Sequence, residues 1–221
     1  MFTADVYVSE LDLKNQESFR NLVFTRYLPA ISSEGLSVAD ALRWESKMVV
    51  ESIEMAALWL ADTESLGLKL ACATYCGERA RHFHLLRDRL AGLGLAPGSY
   101  DPREGGYSRL FGFLRSLQTS EERVAAGFLS LAGMSAARLA GLASFCEDKA
   151  DSESARLLRE SLIPEEESRV DVGRDFLVDM VITDESQARA RRAAFRVIEL
   201  LNDLYDPVLF RKLCSRTASR K

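Results

Sequence analysis

The chain has 221 residues, 47% of them hydrophobic and 28% charged, with a formal net charge of −4. That apolar content can bury a core without disulfide or metal staples, and the acidic balance excludes a chain-wide nucleic-acid footprint. Four cysteines, Cys72, Cys76, Cys146 and Cys214, show neither zinc nor disulfide spacing, and no signal peptide is visible. They read as buried thiols in a reducing compartment, so a cytoplasmic location is expected.

In chain order, residues 1–14 alternate weakly (Val6, Val8, Leu11, Leu13) and are expected to be extended or a simple arm. Residues 15–28 read as a short helix ended by Pro29, followed by a loop through Leu36. Ser37, three residues before Asp40, caps a long helix to about Asp62. Glu64-Ser65 opens the next, which runs to Leu93 with Gly94 at its C-terminus. Pro97, Gly98, Pro102, Gly105 and Gly106 make the longest break, read as a crossover rather than a domain boundary. A short helix at 107–117 comes next. Thr119 to Glu122 opens a third long helix, to about Cys146, rich in small residues. These small residues suggest tight packing or a subunit contact, and Arg138 and the serines break it too often for a membrane span. Asp151 and Ser152 cap a fourth long helix to about Ile182, kinked by Pro164, and residues 185–204 form a last one. With no convincing strand, the chain reads as a single all-α domain: 1–36 an arm and short helix, 37–182 a four-helix unit with its crossover at 95–118, and 183–221 a helix and basic tail.

Two charged clusters lie on apolar stripes. Leu68, Cys72, Tyr75, Arg79, His82, Leu86 and Leu93 share one helical face, and so do Ala155, Leu158, Leu162, Glu166, Arg169, Gly173, Phe176 and Met180. Ionised groups on a buried stripe are costly unless paired or bound to metal. Read structurally, His82 is a core histidine satisfied by a carboxylate, His84 is at the surface, Glu165 and Glu167 are solvated flanks, and Trp44 and Trp59 belong to the core.

The helix order, the crossover and these clusters resemble the ferritin-like diiron-carboxylate superfamily, with the branch of tRNA-modifying hydroxylases nearest. The likeness covers residues 37–182. It implies a ferritin-like four-helix bundle with additional terminal helices. It also implies inward ligands: a Glu on the first long helix, Glu-x-x-His on the second, a Glu on the third and Glu-x-x-His on the fourth. This chain departs from that pattern. Glu54 (or Glu51), His82 and Glu166 are in place, but Arg79 and Arg169 stand at two ligand positions, Glu78 is off by one, and no acidic residue lies between Glu122 and Glu147.

The expectation is therefore a degenerate, metal-free site built from Glu54, Arg79, His82, Glu166 and Arg169, in a homodimeric binding or assembly protein with a protein or small-molecule partner. In that arrangement Arg79 reaches Glu166 or Glu54 and Arg169 takes the other. The alternative is a non-haem iron or manganese oxidase or hydroxylase, with tRNA as a candidate substrate and ligands drawn from Glu51, Glu54, Glu78, His82 and Glu166. No catalytic residue is named, since no nucleotide loop, nucleophile elbow or zinc pattern is present. Nine basic residues between Arg189 and Lys221 face only Glu199, Asp203 and Asp206. They read as a solvated helix face and basic tail, or as a phosphate-binding segment able to engage RNA.

Overall fold

The computed structural model describes residues 3–32, 35–96 and 98–205, and among these there are helices and no strands. Helix α1 covers residues 4–31, α2 Val38–Asp62, α3 Leu66–Gly92, α4 Arg109–Ser116, α5 Ser120–Asp148, α6 152–180 and α7 Asp184–Leu204. The all-α expectation holds.

The starts of the long helices are set by their caps. Ser37 and Asp40 make a reciprocal capping box at α2, and Thr119 and Glu122 do the same at α5. Ser65 accepts from Leu68 N–H at α3, and Asp151 accepts from Ser154 N–H at α6. At the far end of α3, Gly94 takes φ +90°, a left-handed conformation that glycine adopts without a Cβ clash. The α5–α6 turn uses Ala150 at φ 61° in the same role, which costs a non-glycine residue about 1 kcal/mol.

Cross-helix contacts fix the directions. α2 and α3 form one antiparallel hairpin across a three-residue turn, and α5 and α6 form another. Asp62 meets Arg123 and Glu45 meets Arg138, so α2 and α5 run antiparallel. Arg79 meets Glu166 and Arg89 meets Asp151, so α3 and α6 do too. The segment between the hairpins crosses the bundle, held by Lys47 Nζ to the Gly106 carbonyl and by Glu51 to Ser108. Helices α1 and α7 then cover α5: Asn15 donates to Ser130 at 2.9 Å, and Arg189 Nε donates to Glu121 at 2.7 Å.

Helix α5 is thus central. It is the one helix among the described residues long and apolar enough to cross a membrane, and 72% of its apolar window is buried inside the protein. Several of its glycines are packed against side chains of the same chain. A Cβ on Gly127 would meet the Trp59 ring at 2.5 Å, and one on Gly133 would meet Phe19 at 2.6 Å. Of the two readings of this face, tight packing or a subunit contact, tight packing holds at these glycines.

The structure departs from the sequence reading in α1. Residues 4–14, expected to be extended or a simple arm, are helical, because Tyr7, Val8, Leu11, Asn15, Phe19 and Leu22 form a buried stripe at helical spacing. Nor does Pro29 end that helix. A π-helical turn at Val23–Tyr27 precedes it, as another at Leu158–Leu162 precedes Pro164. Proline removes one N–H and crowds the carbonyl four residues back; the wider π pairing reaches one residue further and lets the helix continue. A third π turn, Val124–Leu131, lies in α5.

Helices α5 and α6 touch backbone to backbone at Gly173. A Cβ there would stand 2.9 Å from the Phe128 carbonyl carbon and 3.1 Å from Leu129 N, groups that cannot rotate away. Gly173→Ala is expected to lower stability by about 1–3 kcal/mol. Exposed Gly77, in mid-α3 with nothing within 4 Å of its Cβ position, should respond oppositely, with Gly77→Ala gaining up to about 1 kcal/mol. Urea denaturation of the two variants checks both signs.

Candidate functional site

The two charged clusters meet between α3 and α6. On α3, Tyr75, Arg79 and His82 stand on the buried face; on α6, Glu166 and Arg169 do the same. Arg79, His82, Glu166 and Arg169 are 2%, 0%, 0% and 4% exposed, so their polar groups must be matched inside the protein.

Glu166 is the hub. Arg79 Nη2 pairs with its Oε1, and Arg169 Nη1 donates to its Oε2 at 2.7 Å. Arg169 reaches on through Nη2 to Glu78, whose side chain is partly exposed. Two guanidiniums therefore face two carboxylates. The guanidiniums also lie against Tyr75, Arg169 Cζ at 3.8 Å and Arg79 Cζ at 5.0 Å from the ring centroid, where the ring's negative face attracts cations. Burial opposes ionisation of the Tyr75 phenol, but the neighbouring Arg79 and Arg169 outweigh it and hold its pKa below the ordinary value. Burial is the largest cause lowering Arg79, to about 10, which leaves it charged at neutral pH.

His82 closes the group on one side. Its Nδ1 lies 3.3 Å from Arg79 Nη1 and its Nε2 lies 2.7 Å from Glu165 Oε2. Arginine has no acceptor, so Nδ1 must be the unprotonated nitrogen and the ring proton sits on Nε2. Burial, then Arg79, Arg81 and Arg169, drive the His82 pKa down to about 2, and the imidazole is neutral. Glu165, expected as a solvated flank, is instead half-buried between His82 and Arg81; Glu167 is exposed as expected. His84 is exposed at the surface, as expected, with its ring edge-on to Phe83.

Glu54 is not part of this group. It accepts from the Tyr107 hydroxyl, and Glu51 accepts from the backbone N–H and hydroxyl of Ser108, the N-cap of α4. Both carboxylates hold the crossover, and the arginine expected to reach Glu54 joins the other on Glu166. The physical reason is position: on α2 the buried stripe passes through Met48, Glu51 and Met55, and Glu54 falls beside it, at the surface the crossover covers.

The residues present do not fit a two-metal carboxylate centre. Arg79 and Arg169 stand at two of the expected ligand positions and already neutralise Glu166. Helix α5 brings no carboxylate to the interior between Glu122 and Glu147, and Phe128 and Leu129 fill the space at Gly173. Among the described residues no three His, Cys, Asp or Glu side chains are grouped to hold a metal ion, so the set Glu51, Glu54, Glu78, His82 and Glu166 is not gathered.

The sequence pattern alone misses a second buried pair. Arg138 on α5 forms a two-pronged pair with Glu45 on α2, its Nη2 donating to Oε1 at 3.0 Å, at 2% and 1% exposure. Its guanidinium lies 5.0 Å from the Trp44 ring and 5.9 Å from that of Tyr27. The signal that could have found it is Glu45 standing on the stripe Ala41, Leu42, Met48, Val49. Of the basic segment, Arg189, Arg191, Arg192 and Arg196 lie on α7; Arg211 to Lys221, and Cys214, lie outside the described residues. The described cysteines are free thiols.

Compared with known proteins, the chain matches no family model, no curated protein and no solved structure.

Removing one partner of a buried pair leaves an uncompensated charge. Glu166→Ala or Glu45→Ala is therefore expected to cost on the order of 3–5 kcal/mol, while Glu45→Leu combined with Arg138→Met should cost far less. Denaturant midpoints across the single and paired variants check this. Because the folded pKa of His82 lies below the unfolded value of 6.5, the unfolded chain binds a proton between about 2 and 6.5 that the native chain refuses. The stability this group contributes is complete above that window and falls as pH drops through it, by up to about 1.4 kcal/mol per pH unit. His82→Gln should show a shallower loss of stability between pH 6.5 and about pH 5 than the unsubstituted chain, measured by urea titration at each pH.

Proposed function

We propose that the chain is a ferritin-like bundle whose diiron centre has given way to fixed arginine–glutamate pairs, and that it works as a binding or assembly protein rather than as an oxidase. The observation that carries this reading is Glu166 shared by Arg79 and Arg169: the positive charge that two metal ions would supply comes from two guanidiniums. The helix order supports the family likeness, with two antiparallel hairpins joined by one long crossover, which places α3 opposite α6 and α2 opposite α5. Both facing pairs carry an inward carboxylate, and both meet it with arginine.

On this reading the interior is architecture and the work is done at the surface, in a cytoplasmic protein. Leu66 and Leu70, one helical turn apart on α3, are 70% and 61% exposed, and a second copy of the chain is the partner we assign to that face. The alternative, a metal-dependent hydroxylase, would need Arg169 to leave two carboxylates at once, and no grouping among the described residues favours it.

The test combines metal and mass. Protein purified after iron supplementation, then incubated with Fe(II) under air, is expected to hold no stoichiometric iron, and to sediment at about twice its 24.7 kDa chain mass. Two irons per chain would overturn the reading of the interior. A single-chain mass at high concentration would overturn the self-pairing.

A further inference from the structure

We infer that the groove between α4 and α7 is a nucleotide-binding site, taking a phosphate on its arginines and a base against its aromatic wall. The groove uses none of the interior pairs, so it stands or falls apart from the proposed function.

Three of the open grooves among the described residues differ in charge. The groove between α3 and α6 sets Arg89 and Arg156 against Asp88, Glu153 and Glu160, and its Arg89 is already engaged by Asp151, Glu153 and Ser154. The groove over α1, α5 and α6 sets Arg20 and Arg174 against Asp12, Glu167 and Asp171. The α4–α7 groove reverses the sign: Arg191, Arg192 and Arg196 line it with only Glu122 and Glu199. In a chain of net charge −4 this is a local positive concavity, and such concavities focus the field on an anion.

The two carboxylates there are engaged. Glu122 accepts from the Thr119 N–H at 3.1 Å in the cap of α5, and Glu199 pairs with Arg196 Nη1 at 2.6 Å. Arg196 is thereby held in place with further donors to offer. Arg191 is held as well, its Cζ 5.4 Å from the Tyr7 ring. Arg192 is exposed and has no ion pair among the described residues. A guanidinium has five donors in a planar fork, so three of them on adjacent turns of one helix match the oxygens of a phosphate group.

The rest of the lining is apolar. Phe113 and Leu117, on α4 and at its end, form one wall, and Ala193 and Phe195 on α7 belong to the other; both phenylalanines are half-buried. A purely phosphate-binding surface has no use for ring faces, whereas a base stacks on them regardless of its identity. The groove, about 530 Å³, is of the size that holds small organic ligands. The same chemistry is offered by a free nucleotide and by one unit of a single-stranded nucleic acid.

The experiment uses the full chain and two probes, a fluorescent nucleoside triphosphate and a labelled single-stranded oligoribonucleotide of about twelve residues, matched to typical single-strand site sizes. Arg192→Ala with Arg196→Ala should weaken the bound probe on the order of tenfold or more, as removal of charged hydrogen bonds does. Arg87→Ala with Arg103→Ala, an equal charge change elsewhere, should leave it within about twofold if general electrostatics are screened. Phe113→Leu, which keeps apolar volume but removes the ring face, should weaken the nucleotide and leave competition by inorganic phosphate unchanged. Binding of the triphosphate identifies a free nucleotide; binding of the oligonucleotide alone, with a salt slope that flattens by about 0.7 for each phosphate released from an arginine, identifies a polymer unit. Neither probe binding, equal weakening by the control pair, or displacement by an acidic peptide as effective as the oligonucleotide would overturn the inference. Thermal melting of each variant separates loss of binding from loss of fold.

Discussion

A carboxylate with no exposure to water needs a cation, and in this protein the one at Glu166 is matched by two arginines arriving from different helices. Each guanidinium answers a different demand. Arg169 comes from one turn further along the same helix, so its pairing with Glu166 is local, but its reach to Glu78 crosses to α3. Arg79 makes the reverse crossing. The two arginines thus stitch α3 to α6 from both sides, and sliding one helix past the other would break both stitches together. Glu78, partly exposed, takes the second charge to the edge of the group, where water can share the cost of burying it.

The close approach at Gly173 and the packing of α5 obey the same logic. An interior that contains charge must exclude water to keep those charges strong and must leave no void that water could fill. Small residues on α5 let Trp59 and Phe19 press against its backbone, and Phe128 and Leu129 press on Gly173 from the other side. The wide π turns at Leu158–Leu162 and Val124–Leu131 lie in the same two helices. Each inserts one extra residue into a turn and so re-aims the side chains of the next turns. In α6 those side chains include Glu165, Glu166 and Arg169.

Much of this is legible in the sequence because it is local. Caps at Ser37, Ser65, Thr119 and Asp151 act within three residues, and the two stripes are periodic. The stripe through Arg79 and His82 and the one through Glu166 and Arg169 are buried as their spacing implies. The features that escape a sequence reading depend on tertiary partners. The helix at residues 4–14 is stabilised by burial against α5, α6 and α7, and its alternating valines and leucines obscure a helical stripe completed by Tyr7, Asn15 and Phe19. Pro29 looks like a terminator until a π turn is allowed before it. Ala150 gives no composition signal for a left-handed turn. At the site, Glu54 is held away from the interior by a tyrosine from the crossover, a partner 53 residues away. Glu45 and Arg138, 93 residues apart, look like single charges on different helices. Their pairing becomes readable only once α2 and α5 are known to face each other.

That second pair changes what the first one means. One internal arginine–glutamate cluster is a feature of a single helix pair. Two, on the two facing pairs of helices, point to one architecture in which arginine and glutamate carry the polar content of a helical core. They also divide the labour: Glu45 and Arg138 tie α2 to α5 beside Trp44 and Tyr27, while Glu166 and its arginines tie α3 to α6 beside Tyr75. Aromatic rings back both guanidinium groups, and a ring face attracts a cation without demanding a proton or a second charge. Such a core is fixed by direction as well as by volume, because a guanidinium fork accepts a carboxylate only in its own plane. The interior arginines are thus all matched within the chain, whereas Arg192, on the outer face of α7, is exposed and has no ion pair among the described residues.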